Sequence, residues 1–485
     1  MTEAMVSRQV SEPFRPTRLV WLLTILFAVS FMYVYIYQPK PIRFLLFGIP
    51  LLTAAVFLVR EIRQWVLLLP VLVTFGTGAW KFGPFYLSPA TVVILLVFFA
   101  YSVHRLLGFR ESIRFPLPLR LVGAAYLAQL ASVFVTLHTH DSLTWNVLRE
   151  GHKLFLGALL LPVVFDWYGR GEWLERFLKV LVVMLLAMTI FGIYQYTSGN
   201  LDALGELASG FDLAGRVYST ISGGPNSYSG VLELLVPVAL ASMFFLESRT
   251  WKTIAFITVI LGILNVLYTF SRGGFLTVTF SCLAYLLYKF RSKVWVPVVS
   301  FMIFAGFVTM NAGEFQRQLT VFRDPRALML DTSLLHRYTS YKGFIEEIGK
   351  DPVEGVGWGG SEFFHGRTAL YGFWEVRHQD SVNEIERFGG LNSLVLEMPL
   401  KGGLFSSLSL LLLFGAIFGM ISRLLRSGRN TTLGFGYACG LAGFSVHQLF
   451  DNLIPWPQTG AFFWIVFALL AAVAYPCCDK GKDSL

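Results

Sequence analysis

Charge is the scarcest property of this sequence. Asp, Glu, Lys and Arg together make up only 14% of the 485 residues, whereas hydrophobic residues make up 55% and the mean hydropathy is +0.61. Ordinary soluble domains carry roughly 25% charged residues. This shortage excludes a soluble globular class and indicates a protein that crosses a membrane many times.

Cysteine is also scarce, and its spacing carries little information. The four cysteines are Cys282, Cys439, Cys477 and Cys478. None belongs to a CxxC or Cys/His pattern, so the sequence predicts neither a zinc site nor a disulfide framework. We expect no metal and no cofactor.

Long polar stretches are rare, because apolar windows follow one another along most of the chain. About fourteen of them have the ~17 to 25 residues that a helix needs to cross a bilayer. They span residues 19–37, 43–59, 64–80, 86–104, 119–138, 153–168, 176–196, 227–246, 252–270, 273–290, 294–312, 403–422, 431–449 and 458–475. The first is long and is followed at once by another, so it is expected to be a span and not a removed signal peptide. The predicted fold class is therefore an all-α polytopic membrane protein with 12 to 14 spans.

The net charge of +9 is explained by where the basic residues lie. Alternate connections between the windows, together with the N-terminal arginines, hold more than half of the 39 Lys and Arg residues, and the short connections on the other side hold far fewer. Basic residues collect in cytoplasmic connections. Both termini are therefore predicted to be cytoplasmic, and no nucleic-acid partner is needed.

One connection is too long to be passive. Residues 313–401 contain mixed charge, aromatic residues and no spanning window, and the predicted topology places them on the outer side. Within this segment, 331–350 has helical spacing, and the glycine-rich stretch DPVEGVGWGG (351–360) follows as a turn. We divide the chain into N-terminal spans with a first outer loop (1–225), spans around the SRGG turn (226–312), the large outer loop (313–402) and C-terminal spans (403–485).

Two arginines lie beside glycine-rich turns at the predicted outer ends of spans. Arg272 belongs to SRGG, between two windows with almost no other charge, and Arg216 precedes the turn Gly-Gly-Pro-Asn that opens the window at 227. Arg272 could serve the bilayer instead, since an arginine at a helix end can reach the headgroups, whereas Arg216 has no helix end to serve. Asn226 is expected to cap the following helix. Two guanidinium groups on one face would also suit a diphosphate, whose oxygens they grip through paired hydrogen bonds.

The ordered stretches RVYSTISGGPN, SRGG, HRYTSYKGFIEEIGKDPVEGVGWGG and NSLVLEMPLKGGL resemble the superfamily of O-antigen ligases and Wzy-type O-antigen polymerases, over residues 214 to 470. The resemblance implies a GT-C-like membrane glycosyltransferase in the bacterial inner membrane, which works without a metal at the outer face. It also implies an undecaprenyl-diphosphate-linked glycan donor, a glycan or lipid acceptor, and partners in polysaccharide assembly or export. The arginines that hold the diphosphate in that family match Arg216 and Arg272.

The chain departs from the family at the exit of the large loop. Members commonly carry His-Asn there, with the histidine as the base that activates the acceptor, whereas this chain has Leu391-Asn392. Leucine cannot take a proton, so either the alignment slips at this point, or another outer group serves as the base, or the reaction relies on stabilisation of the leaving group. His378 is the first choice; the other candidates are His336, His365, Glu384 and Glu397. His447, beside Asp451, is predicted to be a ligand contact or a polar helix end.

Substrate binding is assigned to Arg216, Arg272, Arg337, Asn226, Asn392 and Trp358. Arg337 could approach the glycan or belong to a solvated helix face, and Trp358 could stack on a sugar or dock the loop on the bilayer. Glu233, an acid inside a span, is expected either to function or to make a polar contact between helices. Rival functions are a lipid-linked glycan flippase and a non-catalytic component of an export complex.

Overall fold

The structure is a computed structural model, and all described residues belong to one compact unit that begins at Ile62. The described residues are 62–475 except 75–79, 83–84, 107–114, 140–144, 169–172, 200–215, 222, 311, 314–340, 342–343, 347, 359–392 and 428–430. The predicted spans 19–37 and 43–59 lie outside them.

The described part is helical apart from one short hairpin. Its elements are α1 (Ile62–Thr74), β1 (Trp80–Phe82), β2 (Phe85–Leu87), α2 (Pro89–Leu106), α3 (Leu117–Thr139), α4 (Trp145–His152), a 3₁₀ segment (Lys153–Leu159), α5 (Leu160–Tyr168), α6 (Leu174–Ser198), α7 (Gly224–Phe245), α8 (Arg249–Tyr268), α9 (Arg272–Lys289), α10 (Trp295–Met310), α11 (Leu394–Ser427), α12 (Thr431–His447) and α13 (Pro457–Ala474).

Every predicted window from 64–80 onward overlaps a helical segment. In the described part, the seven helices α2, α3, α6, α7, α8, α11 and α13 are long and apolar enough to cross a membrane. The prediction of a helical protein with membrane-crossing helices is confirmed at this level. The number of fourteen spans and the GT-C-like architecture stay predictions.

Two local predictions were wrong. No strand was predicted, but WKF and FYL pair as an antiparallel hairpin with Trp80 opposite Leu87 and Phe82 opposite Phe85. Aromatic residues favour strands, and Gly83 and Pro84 between them favour a turn.

The second error concerns the window 153–168, which was predicted to be one helix. Its first half is a 3₁₀ segment in which Gly157 faces α13; a β-carbon added there would lie 2.5 Å from Trp464 Cδ1. The indole Nε1 of Trp464 donates to the carbonyl of Leu154 at 3.0 Å. The tighter winding therefore accommodates a tryptophan of another helix.

Helices α7 and α13 form the interior of the described unit. Their apolar windows are 83% and 89% buried, and α7 contacts α6, α8, α9, α12 and α13. A polar side chain on α7 is consequently enclosed by protein, where it requires a hydrogen-bonding partner.

Loops and helix ends meet at two opposite ends of the unit. At the first end, which we call the Arg272 end, Gln458 Nε2 donates to the carbonyls of Val73, Thr74 and Thr220, and Leu394 N donates to Gln448 O. At the other end, Arg423 Nε donates to Ala474 O at 3.0 Å. The described parts of the loops before α7, α9, α11 and α13 meet at the Arg272 end.

Helix α11 is broken near its beginning. Gly402 (φ −126°, ψ 16°) and Gly403 (φ 54°, ψ −141°) leave helical geometry. Residues 351–358 of the large loop repair the break, because Val356 N donates to Leu400 O at 2.7 Å and Gly357 N donates to Lys401 O at 2.9 Å. The predicted glycine-rich turn is confirmed, and its backbone approaches another segment of the chain.

We expect Gly403→Ala to lower the stability of the protein by about 1–3 kcal/mol, because its backbone conformation is nearly restricted to glycine. An added β-carbon would also overlap the carbonyl of Val353. The matched control is Gly415→Ala on the same helix, where nothing lies within 4 Å of the new carbon. Thermal unfolding in detergent measures both; equal unfolding temperatures for the two variants would contradict the proposed importance of the break.

Candidate functional site

Arg216 is anchored to the turn that carries Arg272. Its Nε donates to the carbonyl of Thr269 at 2.8 Å, and the backbone of Val217 donates to Tyr268 O at 3.1 Å. The loop before α7 and the turn between α8 and α9 therefore form one surface at the Arg272 end. The two arginine-bearing segments, far apart in the chain, meet there.

Asn226 joins Arg216 to the segment that follows α12. Its Oδ1 accepts from Arg216 Nη2 at 2.7 Å, and its Nδ2 donates to Asp451 Oδ2 at 2.7 Å. The prediction that Asn226 caps α7 was wrong, because the cap position is Gly223, in the left-handed region with φ 98°. Asn226 lies inside the first turn, from which its amide reaches both charged partners.

Arg272 is half-buried and begins α9. The preceding Ser271 caps the helix by accepting from Gly274 N at 3.3 Å. We expected Gly273 and Gly274 to provide the tight turn, but both are helical; the positive φ of 51° falls on Phe270. A non-glycine residue in this region costs about 1–3 kcal/mol and persists only where its surroundings enforce it.

The two glycines instead allow close packing. A β-carbon added to Gly273 would lie 2.5 Å from His447 Nε2, and one added to Gly274 would overlap the hydroxyl of Ser229. The other ring nitrogen of the same histidine, His447 Nδ1, lies 2.6 Å from Glu233 Oε1. The two side chains are buried, with exposures of 1% and 0%. An acid–histidine pair thus supports the start of α9.

A second cluster of buried charge lies at the break of α11. Lys401 Nζ is 2.5 Å from Glu397 Oε1, and Asn452 Nδ2 donates to the other oxygen of Glu397. Both carboxylate oxygens are therefore engaged, which disfavours Glu397 as the base that accepts a proton from substrate. Because Asp451 bonds Asn226, two adjacent residues connect this cluster with Arg216.

Trp358 lies inside the protein. Only 4% of it is exposed, its Nε1 donates to Ser132 Oγ at 2.8 Å, and Lys401 Nζ lies 5.8 Å from its ring centre. An indole ring this enclosed has no open face for either of the two predicted roles, stacking on a sugar or docking the loop on the bilayer. Its observed contacts join the large loop to α3 and to the break of α11.

Several predicted site residues lie outside the described residues. They are the base candidate His378, its alternatives His336, His365 and Glu384, the loop residue Arg337, and Asn392 beside Leu391. Their roles stay predictions.

The sequence signalled the members of the site but missed their pairing. Glu233 stood out as an acid within an apolar window, and His447 and Asp451 stood out at the end of another. Glu233 contacts His447, and Asn226 bonds Asp451. Both Glu233 and Asn226 lie on α7, about two hundred residues earlier in the chain than their partners. No local spacing signals such contacts.

Comparison of the chain with models of known protein families finds no match, and comparison with curated proteins finds none either.

We expect Asn226→Asp to destabilise the protein, because it places a carboxylate against that of Asp451 and removes the donor between them. Leaving the partner of such a hydrogen bond unsatisfied costs about 1–3 kcal/mol when it is buried, and this one is partly buried, so we expect about 1 kcal/mol. The double variant Asn226→Asp, Asp451→Asn restores one acceptor for Arg216 and one donor between the two residues. Thermal unfolding of both variants checks this; a double variant less stable than Asn226→Asp would contradict the assigned contacts.

Proposed function

We propose that this protein is a membrane glycosyltransferase of the O-antigen ligase and polymerase type. It would take glycan from an undecaprenyl-diphosphate-linked donor at the outer face of the bacterial inner membrane and pass it to a glycan or lipid acceptor. Fourteen spans, a GT-C-like architecture and cytoplasmic termini form part of the same proposal. The resemblance of the ordered motifs supplies the reaction class.

One observation carries the proposal: the hydrogen bond from Arg216 to the carbonyl of Thr269, in the turn that leads into Arg272. It brings two guanidinium-bearing segments to one surface. A diphosphate spread over that surface could be held by both, since guanidinium groups stay charged at all working pH values and match phosphate geometry. The bond to Asn226 and the bond to Thr269 fix the plane of the Arg216 guanidinium.

In the proposed reaction, an acceptor hydroxyl attacks the anomeric carbon of the first donor sugar, and the bond to the lipid diphosphate breaks. The electron pair of that bond passes to the phosphate oxygen, and the acceptor proton passes to a base. Arg216 and Arg272 neutralise the charge that develops on the leaving diphosphate. Such preorganised donors act in the transition state without reorganising. Attack opposite the leaving group inverts the anomeric configuration.

The surroundings of Arg272 also suit a lipid. A groove between α8, α9 and α10 is lined by residues that recur on one stripe of α9, namely Phe275, Val278, Thr279, Cys282, Leu283 and Leu286. Arg272 lies three and seven positions before Phe275 and Thr279, so it heads this stripe. A prenyl chain in the groove would leave its diphosphate near Arg272.

Replacing either arginine by alanine is expected to reduce glycan transfer by about 100- to 1000-fold, the loss typical for one preorganised donor to a developing negative charge. Gel analysis of surface glycan in complemented cells measures the product. The matched control is Arg423→Ala, which removes an arginine that is also bonded through Nε to a backbone carbonyl but at the opposite end. Normal glycan in the Arg216→Ala and Arg272→Ala strains, at normal protein levels, would refute the proposal.

Filling the groove with Thr279→Trp should weaken use of a full-length undecaprenyl donor about tenfold or more, since loss of two buried methylene contacts costs about 1.6 kcal/mol. A donor with a short prenyl chain should be affected less. Phe280→Trp is the control, because Phe280 is next in the chain but 64% exposed on another face. Equal effects on long and short donors would exclude the groove as the lipid site.

Glycan flipping is the second candidate, and the break in α11 favours it. Transporters use discontinuous helices beside buried polar groups, and here the break of α11 adjoins the buried Glu397–Lys401 pair. Proteoliposomes containing a lipid-linked glycan separate the two functions. A transferase releases undecaprenyl diphosphate when acceptor is present, whereas a flippase moves the intact donor between leaflets.

A further inference from the structure

The buried pair formed by Glu233 and His447 has no role in the proposed reaction as described above. Glu233 lies on α7, which is enclosed by other helices, and His447 is the last residue of α12. Burying an acid and an imidazole is costly, and an apolar pair of similar volume would often serve stability equally well. The pair therefore calls for an explanation beyond stability.

Both members contact the first turn of α9. His447 Nε2 faces Gly273, where an added β-carbon would lie 2.5 Å away. Ser229, which donates to Glu233 Oε1 at 3.3 Å, faces Gly274 in the same way. The residues immediately after Arg272 thus rest on this pair and on the serine bonded to it.

The geometry fixes the histidine ring. The 2.6 Å contact between Glu233 Oε1 and His447 Nδ1 is a hydrogen bond whichever of the two atoms carries the proton, and it sets the plane of the imidazole ring. The edge bearing Nε2 is then directed at the α9 backbone. The same first turn follows Phe270, whose positive φ needs enforcement by its neighbours.

We propose that Glu233 and His447 are positioning residues that orient Arg272 toward the diphosphate of the lipid-linked donor. The carboxylate holds the imidazole, the imidazole holds Gly273, and Gly273 fixes the direction in which the preceding arginine leaves the helix. This proposal rests on the proposed function. It assigns no proton transfer to His447, which is almost completely enclosed.

The first test measures binding of undecaprenyl diphosphate to the purified full-length protein. Glu233→Gln keeps the shape of the side chain but replaces the carboxyl group that contacts His447 with an amide, and we expect it to weaken binding roughly 10- to 100-fold, as small misplacements of a binding group do. The matched control is Asp166→Asn, which neutralises another fully buried acid, two residues before the end of α5. The control should bind as the wild type does.

The second test is a double-mutant cycle between Gly273 and His447. Gly273→Ala should weaken binding because its methyl group meets the imidazole. In a His447→Ala background the methyl group has room, so the same change should cost much less, and the two effects should not add. Gly306→Ala, a helical position with nothing within 4 Å, controls for adding a methyl group to a helix.

The outcomes separate this inference from the proposed function. Wild-type-like binding by folded Glu233→Gln, or additive effects in the cycle, would overturn the positioning role and leave the diphosphate site intact. If the wild type itself binds no undecaprenyl diphosphate, the proposed function fails. Amide hydrogen exchange over residues 268–275 then decides the remaining question: unchanged exchange in Glu233→Gln would overturn the positioning role, and faster exchange would retain it for the α9 turn alone.

Discussion

The 2.6 Å contact between His447 and Glu233 is one of the side-chain contacts that tie the end of α12 and the residues after it to neighbouring helices. Asp451 continues it by accepting from Asn226, and Asn452 donates to Glu397 at the start of α11. These three residues lie within six positions of one another. Through them, the arginine-bearing loops on one side and the broken helix on the other share a single hydrogen-bonded support.

Burying charged side chains in these contacts costs desolvation free energy, so they are an inefficient way to hold helices together. Glu233, Glu397 and Lys401 are all buried, and buried ion pairs are weak evidence of added stability. What they supply is direction, because hydrogen bonds fix orientation as hydrophobic contacts cannot. Backbone groups at the break of α11 also need hydrogen-bonding partners, and the backbone of the large loop provides them. Leu400 O, Lys401 O and Leu404 N are each bonded in this way.

The sequence was informative wherever the relevant signal is local. Apolar windows of spanning length predicted the helices because each must satisfy its own backbone within the bilayer, and the glycine turn at 351–360 was predicted from composition. Prediction failed where a distant partner decides. Asn226 was predicted to be a cap, but its amide bonds Arg216 and Asp451. Trp358 was predicted to stack on a sugar or dock on the bilayer, but it is enclosed and bonds Ser132. The window 153–168 was predicted to be one helix, but it begins as a 3₁₀ segment in which Leu154 accepts a hydrogen bond from Trp464.

The sequence by itself determined the class of the protein, the approximate positions of most described helices, and the identity of the residues with unusual chemistry: Arg216, Arg272, Glu233 and His447. Each follows from composition or from a charge set against an apolar background. Only the tertiary structure decided which of these residues are paired and that His447 lies against the first turn of α9, beside Arg272. The reason is physical, since a buried polar group must find a partner, but the partner is chosen by helix packing and not by distance along the chain.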